Sequence, residues 1–220
     1  MLSGTAAPAL LDSYQRERHQ AAWFAADQSS LRRVNLRQMP TESTDGTPLA
    51  HPLALTLGGQ YAAGAFIADG SVAATDRLDL GGQPGTRLPH HWLGPGRAAL
   101  DLVGPGLTLL TGPAGAPWSS AAETAAGHDG AAAPTGPGQP ARHAGRWAGP
   151  ARPPAGRTAL AVRRVDLPGR EWPGWAGIGE DGALLVRPDH IVAWRCPALP
   201  ADPASALRQA TARVLGHQPA

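Results

Sequence analysis

The chain has 220 residues and a formal net charge of +2, and all 19 basic residues are arginine, scattered singly or in pairs such as Arg32-Arg33 and Arg163-Arg164 with no aromatic interleaving. That pattern argues against a nucleic-acid surface, a single cysteine excludes an internal disulfide, and no apolar run reaches the ~20 residues of a bilayer span. Glycine (28) and proline (23) exceed a fifth of the chain and alanine makes up much of the 42% hydrophobic content, so less of the chain is packed than its length allows.

The Arg, Ala, Gly and Pro bias is what a GC-rich genome produces through codon usage, a coding signature before it is a function. The N-terminus carries no basic stretch followed by an apolar run, and Cys196 stands alone. A soluble, cytoplasmic protein is expected.

Pro8 suits a first helical turn, and Leu10, Leu11, Tyr14, Ala21, Ala22 and Ala25 follow at the three- and four-residue spacing of one helical stripe. Gln15, Arg16 and Glu17 fall on the opposite side of this amphipathic helix, which is expected to run on through Trp23 and Phe24 toward Leu36. Residues 39–52, with Pro40, Asp45, Gly46 and Pro48, read as a linker between a helical segment over 1–38 and a domain over 53–220. Two short apolar runs of strand type open that domain, 53–57 and 65–68, the second closed by an Asp69-Gly70 turn. The glycine pairs Gly58-Gly59 and Gly81-Gly82 read as turns.

From Gly85 the order is α/β, with strands over 98–103 and 107–111, a helix over 117–126, a strand over 158–165, two strands over 183–187 and 191–194, and a last helix. Pro188-Asp189-His190 joins the final strands as a hairpin. For the last helix Asp202 is a natural N-cap and Pro203 fits the first turn. Leu207, Ala210 and Val214 form its buried stripe, and Gly216 ends it. Strand, helix, strand, hairpin, helix is the order of a thioredoxin-like domain, a central mixed sheet with flanking helices. Residues 128–156 are Gly, Ala, Pro and Arg with Trp147 as the one large apolar side chain, too little to offset the entropy of ordering. A disordered insertion is expected there, with first tryptic cuts at Arg142, Arg146 or Arg152.

Three motifs stand in order along the chain. The first is Pro8-x-Leu10-Leu11-Asp12-Ser13-Tyr14-x-x-Glu17-Arg18. The second is Gln83-Pro84-Gly85-Thr86-Arg87-Leu88-Pro89-His90-His91-Trp92-Leu93, continued by 100–102 and 107–112. The third is Leu184-Leu185-Val186-Arg187-Pro188-Asp189-His190-Ile191-Val192-Ala193-Trp194-Arg195. Together they resemble FAD-dependent aromatic-ring hydroxylases, the flavoprotein monooxygenases of the phenol and chlorophenol hydroxylase type. The first is similar to the helix that closes the family's substrate domain, the others to the start and end of its C-terminal domain. A Gly58-x-x-Tyr61 segment similar to this one leads into that domain in the family, and only residues 125–157 fall outside the match. The resemblance implies a thioredoxin-like fold and, in the intact family, ring hydroxylation by oxygen with FAD reduced by NADPH. The Gly-x-Gly-x-x-Gly turn and the later Gly-Asp segment that hold FAD lie upstream of the matched helix in the family, and neither occurs here.

Candidate chemistry is sparse. A thioredoxin would carry its Cys-x-x-Cys pair where this chain reads Gly112-Pro113-Ala114-Gly115-Ala116-Pro117-Trp118, so disulfide exchange has no thiol. Adjacent His90 and His91 point to opposite faces of a strand and cannot jointly chelate a metal. Ser119 and Ser120 lie in no Gly-x-Ser-x-Gly elbow. Trp92, Trp118, Trp172, Trp175 and Trp194 are expected to give an alanine-rich core its bulk, and Cys196 to be a small buried apolar residue at a strand end. Arg87, Asp101, Arg187 and Asp189 are expected to make ion pairs or turn bonds. No catalytic, cofactor-binding or metal residue is assigned, and neither FAD nor NADPH is expected to bind this chain alone.

Two functional readings follow. The first is the C-terminal, thioredoxin-like region of a flavin-dependent aromatic hydroxylase, truncated or encoded separately, without catalysis alone. The second is a standalone, non-redox binding module that docks on a partner such as a flavin domain in trans through the apolar face of its first helix. An exposed stripe on that face is expected to lead to self-association or to binding of a flavin domain added in trans, and no nucleic-acid or membrane partner is expected. A decayed gene product is a third, inactive alternative.

Overall fold

The computed structural model describes residues 6–32, 46, 48–128, 160–165 and 171–217. In chain order the elements are α1 (Leu10–Leu31), a π-type turn (Ala54–Gly58), β1 (Trp92–Gly94), β2 (Arg97–Ala98) and a 3-10 turn (Ala99–Leu102). They continue with β3 (Leu107–Thr111), α2 (Ala116–His128), β4 (Leu160–Arg164), α3 (Glu171–Ala176), β5 (Ala183–Val186), β6 (Val192–Cys196) and α4 (Pro203–Val214).

Every residue of β3 and of β5 is buried, and such strands need neighbours on both edges and cover on both faces. The sheet supplies this with the order β4-β3-β5-β6. β3 is parallel to β4, as the α2 crossover between them requires, and antiparallel to β5. β5 and β6 pair as the expected hairpin, with a register shift between Leu185 and Val186 and with His190 at φ 67 in the turn. The fold is therefore mixed α/β with a mixed sheet and flanking helices.

Side chains alternate across the sheet, so neighbouring leucines serve different cores. Leu109 and Leu185 join Trp118, Ala121 and Ala122 of α2 and Leu207, Ala210 and Val214 of α4. Leu110 and Leu184 join Leu88, Ala99, Leu102, Ala176 and Ile178 on the other face. Trp118 is fully buried, meets Trp194 edge-on at 5.9 Å, and its indole N–H donates to the Asp181 carbonyl at 2.7 Å. α4 behaves as its sequence predicts. The Asp202 carboxylate accepts from the Ser205 N–H at 2.9 Å, the stripe Leu207, Ala210 and Val214 is buried, and Gly216 takes φ 74.

Several expectations are corrected. Residues 53–57 are helical, because Pro52 begins a turn in which Leu55 N–H reaches the His51 carbonyl at 3.1 Å. Residues 65–68 form no strand and meet β6 through one backbone bond, Ile67 N–H to the Ala193 carbonyl at 2.7 Å. The strand expected over 98–103 stops at Ala98, whose N–H donates to the Asp101 carboxylate at 2.8 Å and turns the chain into a 3-10 segment. Trp92 is 63% exposed rather than core, while Trp175 and Trp194 are half-buried and the Trp172 side chain lies outside the described residues. Cys196 ends β6 but is only half-buried. α1 ends at Leu31, and most of the linker and of the segment 128–156, including its tryptic sites, lies outside the described residues, His128 itself closing α2.

The largest correction concerns the face of α1. Glu17, expected to face solvent, is 3% exposed, whereas Leu11 and Tyr14 of the apolar stripe are 60% and 65% exposed. Ala21, Ala22 and Ala25 are exposed as well. The residues turned toward the domain are Leu10, Ser13, Glu17, Phe24, Gln28 and Leu31.

Candidate functional site

A cleft of about 390 Å³ runs between the N-terminal half of α1 and the sheet domain. Leu10, Leu11, Tyr14 and Glu17 form one wall, and Pro105, Leu107, Pro188 and Leu215 belong to the other. The lining is mainly apolar, with one charged pair.

That pair joins the first matched motif to the third. Arg187 follows β5 directly, and its backbone N–H is held by the Ile191 carbonyl at 2.9 Å, which aims its side chain at α1. Its Nη1 donates to Glu17 Oε1 at 2.6 Å and its Nη2 to Oε2 at 3.0 Å, a bidentate contact. The same guanidinium donates from Nε to Asp189 Oδ1 at 3.0 Å and from Nη2 to Oδ2 at 2.6 Å. Burial alone would lower the Arg187 pKa, but its hydrogen bonds to Glu17 and Asp189, with the charge of both carboxylates, outweigh it and hold the group above its ordinary value. Glu17 Oε1 also accepts the Ala65 N–H at 2.8 Å. Gly64 makes room for this, since a Cβ there would lie 2.2 Å from Glu17 Oε1.

A second polar junction holds the other end of α1. Gln28 Oε1 accepts the Ala50 N–H at 2.7 Å, and Arg32 Nη2 donates to the Ala50 carbonyl. Across the domain Arg195 donates from Nε to Asp69 Oδ2 at 2.7 Å and from Nη1 to the Gly81 carbonyl at 3.2 Å. Burial would raise the Asp69 pKa, but bonds from Ser71 and Arg195 bring it below the usual range.

Of the residues singled out on the sequence, the structure brings Arg187 and Asp189 together, and it places Asp101 on the Ala98 N–H. Arg87 sits in an isolated backbone bridge to Ile191. The His90 ring meets Trp92 at 4.9 Å and the His91 ring meets Trp175 at 5.0 Å, so the two rings have different neighbours. Ser119 and Ser120 lie on α2. Burial raises the Cys196 pKa, the thiol donating to the Ala198 carbonyl at 3.1 Å. Glu17 was missed. The available signal was its position in one motif and that of an oppositely charged residue, Arg187, in another.

Chemically this arrangement is a clamp, one guanidinium held between two carboxylates. Among the described residues no three His, Cys, Asp or Glu side chains are grouped to hold a metal. At the glycine pairs the chain packs on itself. A Cβ at Gly82 would lie 2.1 Å from the Ala176 carbonyl, so this glycine packs against α3 rather than cradling a pyrophosphate, and Gly58 closes an isolated π turn. The cleft's one arginine is already saturated by two carboxylates.

Comparison with known proteins sets this arrangement in a family. Residues 81–218 match the model of the aromatic-ring hydroxylase C-terminal domain. The chain is 34% identical, over 98% of its length, to tetracenomycin A2 monooxygenase-dioxygenase of Streptomyces glaucescens, of which it covers 35%. It is 32% identical, again over 98%, to 4-methyl-5-nitrocatechol 5-monooxygenase of a Burkholderia species, of which it covers 37%. A solved ternary complex of aklavinone-11 hydroxylase with FAD and aklavinone is similar over 98% of this chain and 37% of that one, with 30% identity and a TM-score of 0.71. The flavin-dependent monooxygenase PieE, solved with FAD and substrate, is similar over 99% of this chain and 42% of that one, with 28% identity and a TM-score of 0.69. The chain thus spans well under half the length of the relatives it matches, and by the match of its sheet domain it belongs to the aromatic-ring hydroxylase C-terminal family.

Proposed function

We propose that this chain is the C-terminal region of an FAD-dependent aromatic hydroxylase and acts in the cytoplasm as a scaffold without catalysis of its own. The observation that carries this reading is the match of nearly the whole chain to only 35% of a monooxygenase relative, combined with glycines that pack against backbone where a flavin pyrophosphate would need an open turn. On this reading the residues that hold FAD, receive NADPH and meet the aromatic ring belong to the part of the relatives that this chain does not match. The domain over 53–220 is thioredoxin-like, which the order β4-β3-β5-β6 with its α2 crossover supports, and it has lost any redox role because Gly112 to Trp118 carries no thiol. Residues 1–38 are the closing helix of the preceding domain and 39–52 the linker.

The exposure of Leu11, Tyr14 and Trp23 on α1 favours a second reading, a separate module that receives a flavin domain in trans through this face. Titrating the purified 220-residue chain with FAD, followed by gel filtration and an NADPH-oxidation assay, tests the first reading. No retained flavin and no oxidation are expected. A flavin spectrum that survives the column would overturn it. Adding the flavin domain of a relative separates the two readings, because co-elution supports the trans module.

A further inference from the structure

We propose that the Glu17–Arg187 pair is a latch and that α1 is a releasable strap, able to leave the sheet domain without unfolding it. No residue of α1 belongs to either apolar core, and the two buried residues of the helix are Glu17 and Gln28. Their partners are Ala50, Ala65 and Arg187, which stand outside the strands and helices of the domain. At its N-terminal end the strap is anchored, with the Ala7 N–H on the Leu215 carbonyl at 3.0 Å and Leu10 beside Gly216, but beyond Ser13 its buried contacts are these polar bonds, with Phe24 and Leu31 only half-buried.

The latch is built so that opening leaves no charge stranded. Arg187 is gripped by two carboxylates, so when Glu17 departs the guanidinium keeps its bonds to Asp189 and Glu17 returns to water. Leu11 and Tyr14 line the cleft of about 390 Å³ beside the pair and are largely exposed, so these side chains lose little packing on release. Most helical stability in proteins comes from tertiary packing, so release lets α1 fray while the sheet, buried on both faces, persists.

Amide hydrogen exchange on the full 220-residue chain, read by mass spectrometry, tests this with two independent variants. Glu17→Gln removes the charge from the latch. Gly64→Ala leaves both latch residues in place but puts a Cβ 2.2 Å from Glu17 Oε1, forcing the carboxylate out of its seat. Each is expected to speed exchange across residues 13–31 about tenfold while β3 and β5 keep wild-type protection. The proposal is overturned if neither variant speeds exchange in α1, or if β3 and β5 lose protection in step with it, the behaviour of a single cooperative unit that includes an unfolded variant.

Discussion

α4 and α1 carry apolar stripes of the same helical spacing, and they dock by opposite means. α4 buries Leu207, Ala210 and Val214 against α2 and the sheet, while α1 turns Leu11 and Tyr14 to solvent and buries Glu17 and Gln28. For α4 the apolar partner lies within the chain, in α2 and the sheet packed directly against it. For α1 the apolar wall of Pro105, Leu107, Pro188 and Leu215 stands across an open cleft from Leu11 and Tyr14, and the strong attraction within reach is the guanidinium of Arg187. A stripe says that a helix has a preferred side; the partner decides which side is used. A buried carboxylate without its countercharge is far more costly than an exposed leucine, so the charge decides the rotation of α1.

The contrast breaks most visibly at the apolar core. Trp118→Ala should cost about 3–5 kcal/mol in urea unfolding, since it removes the largest fully buried side chain among the described residues and the bond to Asp181. A loss below about 1 kcal/mol would show that α2 and the sheet are not packed as one core.

The cap of α4 comes next. Asp202→Ala should destabilise by about 1 kcal/mol, and Asp202→Asn, which keeps an acceptor for the Ser205 N–H, should recover most of it. Equal losses in both variants would mean that the cap bond is not the stabilising contact.

Acid sharpens the polar side of the comparison. Because the Asp69 pKa is depressed in the folded state, its contribution is complete above the ordinary Asp value of about 4 and fades as pH falls through the lower folded value. The stability gap between the wild-type chain and Asp69→Asn should therefore be constant near neutrality and shrink in acid. Parallel melting profiles from pH 7 down to about 2.5 would remove the Arg195–Asp69 bond from the account.

The smallest effect should fall on the exposed stripe. Leu11→Ser and Tyr14→Ser should change unfolding free energy by less than about 0.5 kcal/mol yet shift the chain toward monomer in sedimentation. A larger loss of stability would mean that the stripe is buried in solution, and α1 would then resemble α4.

Much of the sheet domain was legible from residues alone. The strands read at 107–111, 183–187 and 191–194 are rich in leucine, isoleucine and valine, with Thr108 and Thr111 as β-branched members of the first, and Pro188-Asp189-His190 fits a tight connection. The segment 53–104 was read less well, because its order comes from single polar bonds such as Ala98 N–H to Asp101 and Ile67 N–H to Ala193, which leave no period in the sequence. Likewise the site was half visible. Arg187 and Asp189 sit two residues apart and their bond is local, whereas Glu17 lies 170 residues from Arg187.

By itself the sequence determined the core strands, the capping of α4, the missing thiol pair and the kinship to aromatic-ring hydroxylases, all carried by short spacings and residue identity. Only the tertiary structure decided which face of α1 meets the domain, that Trp92 stands in solvent, and that Glu17, Arg187 and Asp189 share one clamp. Local spacing sets what an element can bury, but the burial of a charge depends on an opposite charge that arrives from far along the chain, and no local pattern encodes that meeting.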